Sequence, residues 1–398
     1  MKKIVIVIAF LFQLFQFGNV RADSFYSSIG LGIPQYIVTI KALGMGGAGI
    51  GVVDRLALNA MNPAANDIMG ITSISAGFQY ESVDNRTATS KVNTRYGNPA
   101  GFQFFIPVKH NINVIAAIRP LMISRYVLSS SQRVQDIEFT RLVRGSGGLS
   151  AASLGTQVLL KKWLFVAGMV NMNFGAYTEE WKTDFYSVSF ADASDVLSSH
   201  LHGPSFELGV LLRMSRNFGF GAIYKSKSSL SAETQLTSGS YHKPEPTKST
   251  VTYPSSVGLG FSYISTKFLF SLDYFTQFWS QYKVNNTSPD FNNTWRFGGG
   301  MEYTGSRNPM QPFMNRVSYR IGAYIGKLPF EKSRQTSVNE KFVSLGLGLP
   351  FAMNAGRIDL ALEIGKRGNV ANNQYEETII RLSGSLTGGE LWFQRRKR

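Results

Sequence analysis

The chain has 398 residues, with 41 Lys and Arg against 25 Asp and Glu, a formal net charge of +16, 39 glycines, 29 phenylalanines and no cysteine. The missing cysteine excludes a disulfide-stapled secreted scaffold and a lipoprotein tethered through an N-terminal cysteine. A mean hydropathy of −0.06, with no later run near the roughly 20 apolar residues of a spanning helix, excludes a helical membrane protein.

At the start, Lys2 and Lys3 precede an apolar run from Ile4 to Phe17, followed by Val20, Arg21 and Ala22. That order is a secretory signal, residues 1–22, cleaved after Ala22; Gln13 and Gln16 cut the run short of a membrane anchor. An exported basic chain has outer-membrane lipid head groups or lipopolysaccharide as partners rather than nucleic acid.

Residues 23–70 are rich in Gly, Ala and Asn, with a strand-like Tyr36–Ile40 and a helical-looking piece at Asp54–Ala60. Gly44, Gly46 and Gly49 match G-x-G-x-x-G, but the long helix and placed acidic residue of a dinucleotide site do not follow. The segment is too apolar for a solvated tail and holds no convincing membrane strand. It is expected to fold back as a plug, its glycines letting backbone pack closely inside a lumen.

From 71 to 393 the dominant signal is period-two alternation, which sends successive side chains to opposite faces. Phe206, Leu208, Val210 and Leu212 alternate with Glu207, Gly209, Leu211 and Arg213. Phe268, Phe270, Leu272 and Tyr274 flank Ser271 and Asp273, and Ile380, Leu382 and Leu386 oppose Arg381, Ser383 and Ser385. The polar face is charged yet glycine-rich, which suits a lumen, with the apolar face toward lipid. Tight polar turns at 109–111, 161–162, 215–217, 265–267 and 353–356 alternate with longer polar segments at 84–96, 129–144, 179–203 and 233–251, read as loops. Counting between them gives about fourteen strands, an even number, in an all-β, membrane-spanning antiparallel β-barrel with its short turns on the periplasmic side.

Within this pattern Pro120 removes a backbone donor from the third strand and predicts a gap in the ladder, flanked by inward-facing Arg119 and Arg125. Trp181, Phe185, Tyr186 and Phe190 give the 179–202 segment more apolar surface than a solvated loop needs, and mark it for ligand capture. No Ser-His-Asp arrangement or metal-spaced cluster is written, and His200 with His202 is a solvated pair in a loop. Glu207, Arg213, Arg296, Glu302 and Arg320 are expected to form a structural lumen network. Neither an enzyme nor a cofactor is expected.

Ala42-Leu43-Gly44-Met45-Gly46-Gly47-Ala48-Gly49, then Asp54, then Asn59-Ala60-Met61-Asn62-Pro63-Ala64, resembles the N-terminal plug of the FadL/TodX family of outer-membrane transporters. Pro254 to Gly260 and Leu272 to Trp279 resemble its later strands. The closing Leu391-Trp392-Phe393, with a basic tail at 394–398, is similar to relatives in Bacteroidetes and Chlorobi-type bacteria. The resemblance implies a monomeric fourteen-stranded barrel with a hatch in the outer membrane of a Gram-negative bacterium. It also implies passive passage of long-chain fatty acids or other small hydrophobic compounds, with lateral release at a kinked third strand. Carried over, Gly44, Gly46, Gly47, Asn62, Pro63 and Ala64 lie on the ligand path. A second Asn98-Pro99-Ala100 lacks the glycine-rich prelude and reads as turn chemistry. Some barrels of this kind serve instead as accessory subunits of a protein-secretion complex, which is the alternative function.

Overall fold

The computed structural model describes residues 24–36, 39–54, 58–66, 71–109, 111–134, 137–186, 192–238, 245–330, 337–351 and 356–390. The signal, Phe190 and the tail from 391 lie outside these residues. The described part is one antiparallel sheet closed on itself, fourteen strands in sequence order. They are β1 (Thr72–Arg86), β2 (Lys91–Lys109), β3 (Ile112–Val134), β4 (Ile137–Lys161), β5 (Leu164–Phe185), β6 (Ala193–Leu212), and β7 in two pieces (Phe218–Lys225 and Ser228–Ser238). Then come β8, also in two pieces (Thr247–Tyr253 and Ser256–Ile264), β9 (Phe268–Gln277), β10 (Thr294–Tyr303), β11 (Ser318–Lys327), β12 (Asn339–Phe351), β13 (Gly356–Gly368) and β14 (Glu376–Glu390). The ladder from Thr72↔Glu390 to Arg86↔Glu376 closes the ring. The breaks in β7 and β8 face each other, at Ser226-Lys227 and at Pro254-Ser255, where Pro254 has no N–H to give.

Alternation sorts the two faces as expected. Leu208 is 48% exposed while its neighbour Glu207 is fully buried, so the wall turns apolar side chains outward and charge inward, the arrangement that lipid requires. On the outer surface near the short-turn end of β7–β10, aromatic rings form a row. Phe218 lies 5.0 Å from Tyr263, and Phe268 lies 5.5 Å from Tyr303. Among the described residues no helix is long and apolar enough to cross a membrane.

The segments read as long loops are largely strand. β3, β4 and β5 run for 23, 25 and 22 residues, about twice the 9–11 that cross a bilayer. The 84–96 segment is a hairpin turning at Thr87–Ser90. Beyond the lipid both faces meet water, so hydrophobic alternation vanishes from the sequence while backbone pairing continues. For the same reason His200 and His202 belong to β6, both exposed, rather than to a loop. Asn98-Pro99-Ala100 lies inside β2 at an irregularity in its pairing with β1, not in a turn.

The N-terminal expectations shift as well. Ile33–Pro34 is extended and paired; of the strand-like Tyr36–Ile40, residues 37 and 38 lie outside the described residues and Ile40 opens a helical turn. The helical turn is α1 (Ile40–Leu43), capped by the Thr39 hydroxyl, which accepts the Ala42 N–H at 3.1 Å. Asp54 bridges to Asn66, and no described residue of 54–60 is helical.

Candidate ligand path

The described residues between Ser24 and Asn66 lie against the inner wall. Gly46 and Gly47 adopt left-handed conformations, φ +66° and +71°, which residues with a Cβ resist. A Cβ on Gly44 would come within 2.9 Å of the Gly346 backbone on β12. The Gly49 and Ile50 N–H groups donate to Asp273 on β9 at 2.6 and 2.8 Å. Asn62 is fully buried: its Oδ1 accepts the Ala64 N–H at 3.0 Å, and its Nδ2 donates to the carbonyls of Ile50 (2.9 Å) and Val210 of β6 (3.0 Å). Pro63–Ala65 forms one 3-10 turn, held from β4 by Gln157, whose amide donates to the Ala64 and Asn66 carbonyls. Thus Gly44, Gly46, Gly47, Asn62, Pro63 and Ala64 meet the wall directly, where a buried amide without partners would cost about 1–3 kcal/mol.

Buried ion pairs fill much of the remaining lumen. Arg320 meets Glu302 at 2.6 Å and Asp359 at 2.7 Å. Arg357 joins Asp359 to Asp54, which also takes Lys41. Arg381 lies 2.7 Å from Glu81 and 3.2 Å from Glu363, and Arg367 lies 3.0 Å from Glu377. On the opposite wall Arg119 pairs with Glu207, with Lys225 at 3.8 Å. Of the residues expected in such a network, Glu207, Glu302 and Arg320 belong to it. Arg296 stacks on Tyr324 and Tyr36, 3.8 and 4.9 Å from the ring centroids. Arg213 does not belong, because it follows the last pair of β6 and is exposed in the turn.

At Pro120 the ladder parts. β2 and β3 pair from Lys109↔Ile112 to Phe102↔Ile118 and no further. Beyond that point β3 stays paired with β4 through a bulge between Pro120 and Met122. Its other edge is taken by the N-terminal segment: Ile33 lies opposite Ile123 and Pro34 opposite Met122. The Gln35 N–H donates to the Leu121 carbonyl at 2.8 Å, and the Ser24 N–H to the Arg125 carbonyl at 3.2 Å. On the facing strand Pro99 precedes Gly101, whose φ is +126°. Arg125 reaches across the parting, 3.4 Å from Asn98 Oδ1 and 5.4 Å from the Tyr96 ring centroid. Arg119 faces inward and is held by Glu207 and by the Ala60 carbonyl.

A cavity of about 90 Å³ runs from this parting, lined there by Gly101, Arg119 and Pro120, to Tyr36 and Arg367 inside. Holding even a benzene-sized molecule takes a cavity of roughly 150 Å³, so the path is closed in this conformation. Toward the long-hairpin end, Leu31 packs with Trp279, Tyr282 and Phe291 from the β9–β10 connection. Of the residues expected to capture ligand, Trp181 and Phe185 form hairpin wall: Trp181 pairs with Val143 and Phe185 with Phe139. Tyr186 is 70% exposed and hydrogen-bonded to Thr140 at 2.8 Å. Sequence reasoning missed that Ser24–Gln35 occupies the edge of β3 and that 279–291 caps the lumen. Pro99 and Pro120 on neighbouring strands were the legible sign of the first, and the aromatic spacing of 279–291 of the second.

By fold the chain is similar to a FadL homologue from Pseudomonas aeruginosa, at 12% identity and a TM-score of 0.62, covering 90% of this chain and 99% of that one. It is similar to the Ralstonia pickettii toluene transporter TbuX at 16% identity and a TM-score of 0.58, covering 87% and 97%. The Pseudomonas putida toluene transporter TodX aligns at 12% identity and a TM-score of 0.56, covering 89% and 98%. At such identities the likeness is one of fold, and at that level it bears out the resemblance to FadL/TodX barrels. No curated protein matches by sequence. The BamG family model matches residues 1–398, and the chain therefore belongs to the BamG family.

Proposed function

We propose that this protein is a diffusion channel of the Gram-negative outer membrane, not an enzyme, which passes small hydrophobic compounds and releases them sideways into the bilayer between β2 and β3. The observation that carries this reading is the end of the β2–β3 ladder at Ile118, beside Pro120, where the inner cavity meets the wall. Fold-level likeness to two toluene transporters supports an apolar cargo. An apolar molecule gains by leaving into lipid rather than through a watery mouth. Long-chain fatty acids fit the same route, with Arg125 at the parting placed to steady a carboxylate as the tail moves out.

In this reading residues 23–70 are the hatch, and passage requires Ser24–Gln35 to leave the edge of β3. The chain has no cysteine, so an engineered bridge is unambiguous. Ile33→Cys with Ile123→Cys joins directly opposed residues and should slow uptake of labelled fatty acid or toluene by proteoliposomes at least about tenfold, with recovery on reduction. Equal uptake by the oxidised and reduced forms would refute release beside Pro120.

The lumen packed with ion pairs favours a second reading, an accessory subunit of a protein-secretion complex, since such a filled barrel needs no moving hatch. Purification from native membranes in mild detergent separates the two. A stoichiometric complex together with absent uptake supports the second reading.

A further inference from the structure

Arg296 is the buried cation that the ion pairs of the lumen leave out. It points inward from β10, 6% exposed, and its Nε and Nη2 find no hydrogen-bond partner among the described residues. The Tyr324 and Tyr36 rings lie against it; rings attract a cation but leave the N–H groups at its edge unmet. Nε and Nη2 bound one edge of the guanidinium, the fork that takes a carboxylate through two parallel N–H···O bonds. Gly47 lies against Nη2, where a Cβ would collide, so the glycine leaves that edge its room.

The surroundings favour an anion. Arg296 lines the cavity of about 90 Å³ with Lys41, Arg119, Arg367 and Arg381, against two carboxylates, Glu340 and Asp359. The other four cations have acids of their own: Lys41 meets Glu302, Arg119 Glu207, Arg367 Glu377 and Arg381 Glu81. Glu340 goes to Arg367 at 3.4 Å, and Asp359 to Arg320 and Arg357. Asp273, in a smaller cavity that Arg296 also lines, accepts the Gly49 and Ile50 N–H groups with one oxygen. Two further donors of the larger cavity, the Tyr36 hydroxyl and Arg367 Nε, are also without hydrogen-bond partners among the described residues. A buried guanidinium is unfavourable unless an anion meets it. At about 30 Å³ for each water, the cavity has room for a few heavy atoms, too little for an acyl chain or an aromatic ring.

We propose that Arg296 binds a small monovalent carboxylate of formate or acetate size, with the Tyr36 hydroxyl and Arg367 Nε as further donors. The ion joins Tyr36 of the N-terminal segment to β10 and β13, and so holds that segment against the wall. The head of a longer fatty acid carries the same chemistry and is the less favoured source, because its chain does not fit the cavity. The inference is independent of the transport reading, since such an ion serves a closed barrel equally well.

Calorimetric titration of the full chain in detergent and carboxylate-free buffer provides the test, with acetate as the probe and acetamide as its uncharged counterpart. Acetate should bind at one saturable site and raise the unfolding temperature, and acetamide should do neither. Arg296→Gln should weaken acetate binding at least about tenfold, the range for a hydrogen bond to a charged group. Arg296→Lys keeps the charge without the fork, and should bind more weakly than the native protein but better than Arg296→Gln. Arg95→Gln, at an exposed cation, should leave binding intact. If Arg296→Gln fails to fold, Tyr36→Phe, which removes a hydroxyl alone, should still weaken acetate about two- to tenfold. Absent acetate binding or equal binding of acetamide overturns the proposal. So does undiminished binding in Arg296→Gln, or in Tyr36→Phe where the arginine variant does not fold. Octanoate that displaces acetate through Arg296 overturns the assignment to a small free ion.

Discussion

Arg119 and Glu207 are 5% and 0% exposed, and unpaired charge is what such a site cannot tolerate. Losing one member of a buried pair costs about 3–5 kcal/mol, while replacing both by apolar groups of similar size is near neutral. Glu207→Leu strands two cations, Arg119 and Lys225, whereas Arg119→Met leaves Glu207 with Lys225 at 3.8 Å. The unfolding temperature read from heat-modifiability on gels should therefore fall most for Glu207→Leu, less for Arg119→Met, and recover in part in the double variant. Equal losses in the two single variants would remove Lys225 from the account. Alternation was enough to turn Glu207 inward and Phe206 outward. Its partner stands 88 positions away, on a strand brought alongside only by the closed sheet.

Among the elements, β3 and β4 show how far pairing outlasts patterning. Their ladder continues to Val134↔Ile137, well past the 9–11 residues a bilayer needs, through serines and arginines that carry no face preference. This extension should be dispensable for the barrel. Joining Ser130 to Arg141, which are paired, through Asn-Gly in place of 131–140 suits a two-residue hairpin. The shortened protein should remain folded and heat-modifiable in detergent, and loss of the folded band would show that the extension guides closure. A break in pairing at the third strand was legible from Pro120, because a missing N–H is a property of one residue, and the β2–β3 ladder ends beside it. What takes the vacated edge was not legible: Ile33 and Pro34 meet it from about ninety residues earlier.

For the whole molecule, the proposed reading puts two layers across the lumen: the hatch of residues 23–70, and the contact in which Leu31 meets Trp279, Tyr282 and Phe291. The cap itself depends on Leu31. Deleting 24–66 behind the signal should therefore open both layers and raise single-channel conductance in planar bilayers. An unchanged conductance would mean that the β9–β10 connection seals the barrel unaided.

The sequence by itself determined the class of the fold, the number of strands and, within the strands, which side chains face inward. Each of these follows from a period of two or a turn of a few residues, which neighbouring positions settle among themselves. Only the tertiary structure decided which charges pair and which edge the N-terminal segment takes. Ser24 reaches Glu377 across 353 positions, and such contacts exist because the ring closes in one register. Register is a property of all fourteen strands together.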